Sequence, residues 1–189
     1  TSVRRWGYAC SKALDEFLAL AYHREKGLPV VVLRLFNTVG PRQTPGYGMV
    51  IPRLVSQALA GDPMTVYGDG DQKRSFTYVR DVVKAIADIA QALGAEGQVF
   101  NLGSNEEISI NGLTRLVRQV LESRSEIIHV PFLEVYGEDF EETRRRVPDI
   151  SKIRWYISYE PNTDLRFIIL EIAKSLEASQ QGTQKQVEK

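Results

Sequence analysis

Two residues near the start of the chain, Tyr8 and Lys12, have the types and the spacing for proton transfer. Residues four apart on an α-helix lie on the same face, so a helix here brings the phenol and the ammonium together. A free tyrosine titrates near pH ~10, too high for a base at neutral pH, but an adjacent cation favours the phenolate. The spacing therefore predicts a catalytic acid/base supported by a lysine.

The same helix carries a second pair with this spacing, Tyr22 and Lys26, so spacing alone does not choose between the two pairs. The residues between Tyr8 and Lys12 are small enough for a cofactor ring to approach, whereas those between Tyr22 and Lys26 are typical of a solvated last turn. The apolar side chains of the helix form one stripe: Leu14, Phe17, Leu18 and Ala21. At about 100° per residue, Tyr8 and Lys12 lie roughly 150° from this stripe. The alternative interpretation is an exposed helical pair without chemistry.

The elements that would position this pair alternate between helix and strand. After the helix ends at Gly27, residues 28–36 form a nearly continuous apolar run, which predicts a strand buried on both faces in a parallel sheet. Asn37 follows at once, and ligands of open α/β sheets bind just beyond the carboxyl ends of the strands. This turn is therefore a candidate binding site, although Asn37 is also typical of an ordinary turn. The Pro- and Gly-rich residues 43–48 are interpreted as a lid or binding loop.

A second candidate site follows the predicted helix over residues 50–60. A short strand over 64–68 leads through a turn into residues 72–79, where basic and aromatic side chains alternate. One hypothesis is that this segment presents Arg74 to a phosphate on one face while Phe76 and Tyr78 pack on the other. The other is an ordinary edge strand with solvated charges.

The rest of the chain predicts further short elements and a tail. The patterns indicate helices over residues 81–93, 113–121, 150–157 and 164–178, and strands over 99–103 and 127–130. Ser109 and Asp149 are expected helix caps, and His129 is interpreted as a half-buried strand residue. Residues 179–189 have the composition of a disordered tail.

Three adjacent arginines, Arg144, Arg145 and Arg146, follow an acidic stretch. Neighbouring residues of this kind cannot all face one way. We expect one or two of them to reach a doubly charged ligand, because the planar guanidinium matches phosphate oxygens. Another is expected to pair with Glu141 or Glu142.

Composition excludes several classes of partner. The chain has 189 residues, 43% apolar content, and 24 basic against 24 acidic residues, which gives no global basic field for nucleic acid or an anionic membrane. A single cysteine, Cys10, excludes an internal disulfide framework, and two distant histidines offer no metal-ligand spacing. We find no signal peptide and no membrane-spanning run, and expect a cytoplasmic protein.

Six segments resemble, in the same order and at similar spacing, the carboxyl-terminal half of the extended short-chain dehydrogenase/reductase family. The resemblance is to its NAD-dependent nucleotide-sugar epimerases, dehydratases and decarboxylases. The segments are YACSK (8–12), LRLFNTVGPR (33–42), VYGDG (66–70), RSFTYV (74–79), FNLG (100–103) and RRRVPD (144–149). Each motif is weak alone, but six in register are improbable by coincidence.

The resemblance implies an α/β fold that comprises the C-terminal part of a Rossmann-type parallel sheet and a small α/β substrate-binding domain. Residues 1–48 would be the remainder of the NAD-binding Rossmann domain, with the catalytic helix and the following strand. Residues 49–178 would be mostly the substrate-binding domain, with segments that return to the Rossmann sheet. The helix that contains Tyr8 is expected to form a homodimer interface.

The resemblance also implies roles for individual residues. Tyr8 would act as general acid/base on a sugar hydroxyl, and Lys12 would bind the nicotinamide ribose of a tightly held NAD. Phe36 would lie by the nicotinamide, and hydride would pass from the sugar to NAD to give a keto-sugar. The residues that would bind the substrate, expected to be a UDP-sugar, are Asn37, Val50, Val66, Tyr67, Arg74, Arg146 and Asp149.

The reaction favoured by the resemblance is C4 epimerisation of a UDP-hexose, which needs the least additional machinery. The alternatives are a nucleotide-sugar 4,6-dehydratase, a UDP-glucuronate decarboxylase, and a non-catalytic nucleotide-sugar-binding or assembly fragment. The family's glycine-rich turn that seats the NAD pyrophosphate is not in this sequence, and the chain begins at Thr1 without an initiator methionine. We therefore expect a fragment that by itself neither binds NAD tightly nor turns over.

Overall fold

The computed structural model describes residues 5–43, 49–137 and 142–187 of the chain. Helices and strands alternate along these ranges, which confirms the predicted α/β class. The helices are α1 (Arg5–Lys26), α2 (Val50–Ala60), α3 (Val79–Ile89), α4 (Ile110–Val120), α5 (Phe132–Tyr136), α6 (Ser151–Tyr156) and α7 (Leu165–Val187). The strands are β1 (Val31–Leu35), β2 (Thr38–Val39), β3 (Met64–Tyr67), β4 (Lys73–Arg74), β5 (Thr77–Tyr78), β6 (Gln98–Leu102), β7 (Ile108–Ser109), β8 (Ile127–Val130) and β9 (Arg145–Arg146).

Parallel pairing relates eight of the nine described strands, and β4 with β9 is one of the four pairs. β1 pairs with β6, β2 with β5 and β3 with β8, and parallel partners require crossover connections of the kind that helices provide. The predicted burial of β1 on both faces is not observed, since Leu33 is half-buried and Leu35 is 48% exposed. The reason is that β6 is the one partner of β1 among the described strands.

A three-stranded sheet organises the candidate site. Its central strand, β4, is antiparallel to β7 and parallel to β9. The backbone N–H of Lys73 donates to the carbonyl of Arg144 at 2.8 Å, which joins β4 to the start of β9. At the end of β7, Ser109 accepts a hydrogen bond from the N–H of Gly112 at 3.0 Å and caps α4, as the sequence predicts.

Two buried clusters form the core. The larger joins one face of α2, α4 and α7 to β3, with Leu54, Leu113 and Ile169 fully buried. The smaller joins α3, β6 and α6 around Phe100 and Ile153, and β1 packs against it. The predicted division into two domains stays a prediction, but the second cluster identifies the later segments that pack beside β1.

Helix α1 lies at the surface and leaves its apolar stripe uncovered. Leu14, Phe17 and Leu18 are 58%, 75% and 51% exposed. The helix is tied to β1 by a bidentate ion pair in which Arg34 donates to both carboxylate oxygens of Glu16, at 2.7 and 2.6 Å. The hydrogen bond from Arg34 lowers the pKa of Glu16 below its ordinary value.

Several element boundaries differ from the predictions. Helix α3 begins at Val79 rather than at Asp81, and the predicted strand over 72–79 is divided into β4 and β5. Helix α7 continues to Val187, so most of the predicted disordered tail is helical; the Gln and Lys residues of this segment are good helix formers. The predicted lid falls largely on residues 44–48, which lie outside the described residues.

Candidate functional site

A cavity of about 230 Å³ lies between the end of β1, α2, β3, β4, α5 and β9. Five of the seven residues predicted to bind substrate line it: Asn37, Val50, Tyr67, Arg74 and Arg146. The other lining residues are Arg53, Gln72, Phe76, Ile110, Phe132, Tyr136 and Glu142. Its described charged groups are three arginines and one glutamate, so the cavity has a positive net charge and suits an anion.

The register of the three-stranded sheet places two of these arginines side by side. Arg74 of β4 is the direct partner of Arg146 of β9, and directly paired residues of neighbouring strands project from the same face of a sheet. Both guanidinium groups therefore reach the cavity. The pairing brings together two residues that are distant in sequence, while their roles in binding stay predictions. Arg146 also lies 5.7 Å from the ring centroid of Phe36.

The three adjacent arginines diverge, as the sequence predicts; of the two carboxylates expected to pair with them, Glu142 pairs with Arg74 instead and Glu141 lies outside the described residues. Arg144 donates to Asp69 at 2.5 Å, and this hydrogen bond holds the pKa of Asp69 below its ordinary value. Arg145 pairs with Glu107 on the other face of the sheet. Neither pairs with Glu142 because that carboxylate is taken by Arg74.

The turn before β4 is fixed by close packing. Gly70 has φ +74°, and a Cβ at this position would lie 2.2 Å from the Oδ1 atom of Asn111. The Asn111 amide in turn donates to the carbonyl of Asp69 at 2.8 Å and to the carboxylate of Asp71 at 3.1 Å. This turn therefore needs glycine, and it sets the direction in which β4 carries Arg74 into the cavity.

One end of the cavity has aromatic walls around a third arginine. Arg53 of α2 lies 3.8 Å from the ring centroid of Tyr67 and donates to the hydroxyl of Thr65. Burial lowers the pKa of the Arg53 guanidinium. Tyr67 packs edge-on against Tyr136, whose ring stacks on Phe132.

Two buried polar atoms at the cavity wall have no hydrogen-bond partner in the described part of the chain. They are Nε of Arg53 and Oε1 of Gln72; the amide nitrogen of Gln72 donates to the carbonyl of Tyr67 at 3.0 Å. Buried polar atoms are nearly always satisfied. Both atoms have almost no accessible surface, so a ligand in the cavity would reach them only after these side chains move.

Two predicted substrate residues do not line the cavity. Val66 is fully buried in the core, because side chains alternate along β3 and its neighbour Tyr67 takes the cavity face. Asp149 accepts a hydrogen bond from the N–H of Ser151 at 2.9 Å at the start of α6. The N-cap position of α6 is Ile150, which makes no side-chain cap hydrogen bond, so the predicted cap at Asp149 is one residue too early; a role of Asp149 in binding stays a prediction.

Phe76 corrects the hypothesis about the segment around Arg74. It lines the cavity together with Arg74 instead of packing on the opposite face. Residues 74 and 76 are two apart, and extended backbone places such residues on the same side. Tyr78 is 4% exposed and packs edge-on against Phe167 in the larger core cluster.

Tyr8 and Lys12 lie on one exposed face of α1, as predicted. The Lys12 ammonium is 5.9 Å from the Tyr8 ring centroid and donates to Asp15 at 2.8 Å. Tyr8 is 71% exposed. An ion pair this exposed is screened by solvent and contributes little, so Lys12 can exchange Asp15 for a ligand. Their catalytic and cofactor-binding roles, with that of Phe36, stay predictions.

Sequence reasoning missed the residues that complete the cavity wall. Arg53 gave one usable signal, since it is the only charged residue in the eleven residues of α2, and such a residue is usually paired or functional. Gln72, Phe132 and Tyr136 gave none. Within the described residues, no group of three His, Cys, Asp or Glu side chains could hold a metal ion.

Comparison with known proteins identifies the family. The profile of the NAD dependent epimerase/dehydratase family matches residues 2–103. The chain belongs to this family. It is 45% identical to the UDP-N-acetyl-alpha-D-glucosaminuronate decarboxylase of Bacillus cytotoxicus over 164 residues, which cover 86% of this chain and 50% of that protein.

Solved structures agree with this family and with the fold. The UDP-N-acetylglucosamine 4-epimerase of Methanobrevibacter ruminantium M1, in complex with UDP-N-acetylmuramic acid, superposes with a TM-score of 0.80 at 31% identity. The matched region covers 91% of this chain and 54% of the epimerase chain. The UDP-glucuronic acid 4-epimerase of Bacillus cereus, in complex with UDP-glucuronic acid and NAD, has a TM-score of 0.76 at 27% identity and covers 86% of this chain and 50% of its own. The predicted Rossmann-type fold is confirmed.

The chain spans about half the length of these relatives. Among the described helices, none is both long enough and apolar enough to span a membrane.

Proposed function

We propose that the cavity binds the diphosphate of a nucleotide-sugar, as part of an NAD-dependent enzyme of this family. The observation that carries the proposal is the direct pairing of Arg74 with Arg146 on the cavity face of one sheet. Two adjacent guanidinium groups match two phosphate groups in charge and in hydrogen-bond geometry. The 4-epimerases of similar fold, whose structures contain UDP-sugars, support the same ligand class.

The aromatic end of the cavity supports a pyrimidine nucleotide. A uracil ring carries both carbonyl acceptors and an N–H donor, and the polar side chains of Arg53 and Gln72 line this end of the cavity. The ring of Tyr67 supplies an apolar wall beside them. We infer that UDP is the nucleotide, in agreement with the UDP-sugar named for each of the three relatives.

The cofactor proposed for the parent protein is NAD, which when bound supplies a hydride acceptor and donor for the sugar. The residues of this chain fit the nicotinamide ribose of this cofactor. The phenol of Tyr8 and the ammonium of Lys12 share an exposed face of α1 beside the small residues 9–11, so both can hydrogen-bond a ribose. Tyr8 would hold and return the proton of the sugar hydroxyl.

The reaction we propose is decarboxylation of a UDP-uronic acid. Support comes from the decarboxylase relative at 45% identity, compared with 27% and 31% for the 4-epimerases. A uronate oxidised at C4 is a β-keto acid, because its carboxylate is attached to C5, the carbon beside the ketone, and such an acid readily loses CO₂. C4 epimerisation, the reaction favoured by the sequence motifs, remains the second candidate because both reactions need the same proton transfer at the C4 hydroxyl.

Product analysis tests the reaction. The full-length protein that contains this chain is incubated with UDP-glucuronate and with UDP-N-acetylglucosaminuronate, and the released CO₂ and the sugar products are measured. Decarboxylation predicts CO₂ in proportion to a UDP-pentose product. An epimerised UDP-uronate without CO₂ would refute decarboxylation and support the second candidate, and no conversion of either substrate would refute both decarboxylation and epimerisation of a UDP-uronate.

A non-catalytic assembly role is the competing proposal, motivated by the uncovered stripe of α1. A homodimer through this stripe would bury Leu14, Phe17 and Leu18. Calorimetry and light scattering on this chain separate the proposals. UDP binding supports the substrate site, whereas dimerisation without binding of UDP or NAD supports the assembly role.

A further inference from the structure

Glu142 is the one acidic residue among the described residues that line the cavity. Its carboxylate pairs with the Nη2 atom of Arg74. The two side chains are only 18% and 16% exposed, whereas the side chains of the neighbouring Arg144 and Arg145 are 71% and 65% exposed. An internal anion therefore contacts one of the two arginines that face the proposed diphosphate.

Arg74 does not depend on this carboxylate for its position. Its Nη1 atom donates to the carbonyl of Lys73 at 2.7 Å, a hydrogen bond within its own strand. The strand is itself held on both edges, by β7 and β9. When Glu142 leaves, Arg74 keeps its place and presents Nη2 to another acceptor.

The charges favour replacement of the Glu142 carboxylate by the diphosphate at Arg74 over simultaneous binding of both. A diphosphate brings about two negative charges into a partly buried site, and a carboxylate at the same guanidinium would repel it, more strongly than in water. Arg146, which makes no ion pair among the described residues, offers the first contact for the incoming anion. The second phosphate then approaches Arg74, whose Nη2 atom is already bound to the carboxylate of Glu142.

We propose that Glu142 is a built-in competitor for the diphosphate: it occupies Arg74 in the empty cavity and is displaced when a nucleoside diphosphate binds. This inference rests on the proposed nucleotide-sugar site and adds a selection step to it. A ligand that lacks phosphate gains nothing from Arg74 and leaves the internal pair intact. The cavity thereby discriminates between a nucleoside diphosphate and a nucleoside.

The test compares Glu142→Gln with wild type by titration calorimetry with UDP and with uridine. Glutamine keeps the size of the side chain and removes the competing charge. We expect UDP to bind about tenfold more tightly, a value between those for an exposed ion pair and for a buried hydrogen bond to a charged group. The affinity for uridine should not change.

Glu107→Gln is the matched control. It removes a carboxylate from an arginine of the same sheet, Arg145, on the face opposite the cavity, and should leave UDP affinity unchanged. A double variant, Arg74→Ala with Glu142→Gln, should bind UDP no more tightly than Arg74→Ala alone, because the gain acts through Arg74. Circular dichroism and thermal melting verify that each variant is folded.

The outcomes separate this inference from the proposed function. Unchanged or weaker UDP binding in Glu142→Gln, with weaker binding in Arg74→Ala, would overturn displacement and show that the carboxylate only orients the arginine. If neither variant changes UDP affinity, the nucleotide site itself is wrong. Equal tightening of UDP and uridine would also overturn the inference, because the effect would not depend on phosphate.

Discussion

Replacing Arg74 with alanine should weaken UDP binding by about 1.5–3 kcal/mol, the range for a hydrogen bond to a charged group. This corresponds to about a 10- to 150-fold increase in Kd. The structure supports a value within this range rather than below it, because the Arg74 side chain is 16% exposed and is little screened by solvent.

Titration calorimetry of this chain with UDP measures the effect directly. Arg145→Ala is the control, since it removes an equal charge from the adjacent strand but from the face that bears Glu107. Its Kd for UDP should remain within about twofold of wild type, as for most surface substitutions. An unchanged Kd for Arg74→Ala, or equal losses for both variants, would refute a specific phosphate contact and return Arg74 to an ordinary solvated strand residue.

Three further predictions concern catalysis and stability. Tyr8→Phe in the full-length protein should abolish turnover and leave the affinity for the UDP-sugar nearly intact, because the lost hydroxyl transfers a proton; unchanged turnover would contradict its role. Ser109→Ala should cost about 1 kcal/mol of unfolding free energy in urea, since it removes the cap of α4; no change would show that other contacts hold this helix end. Leu54→Ala should cost about 2–5 kcal/mol because Leu54 is fully buried, whereas Leu93→Ala, at a side chain 98% exposed, should cost little; similar losses would contradict the assignment of the core.

The elements that the sequence predicts best are those with a local cause. The helix over residues 50–60 is found as α2, and its end at Gly61 follows from the left-handed backbone there, φ +75°. Ser109 was identified as a cap because its hydroxyl needs only the nearby Gly112 as donor. The candidate residues Asn37, Arg74 and Arg146 were recognised from motifs that match a known family, and the structure places all three on one cavity.

The remaining features depend on contacts between residues that are distant in sequence. Strand β9 has two residues and exists because it pairs with β4, so no local periodicity could predict it. The ion pair of Glu142 with Arg74 depends on the same pairing; the sequence instead suggested the adjacent arginines as its partners. Arg53 becomes a cavity residue only because β3 places Thr65 and Tyr67 against α2.

The exposed stripe of α1 shows a different limit of sequence reasoning. Helical phase predicts that Tyr8 and Lys12 lie away from Leu14, Phe17 and Leu18, and all three apolar side chains are exposed. It does not say what covers the apolar side, and no described element does. The catalytic role of the Tyr8 face and the homodimer role of the other face therefore remain proposals with separate tests.

The most direct test of the proposed site is a comparison of UDP with uridine in titrations of this chain. Both ligands carry the same base and ribose, so their difference isolates the two phosphates. If Arg74 and Arg146 hold the diphosphate, UDP should bind at least about tenfold more tightly than uridine, and the difference should shrink in Arg74→Ala. Equal affinities for UDP and uridine in the wild-type chain would contradict the assignment of this cavity to a nucleotide-sugar.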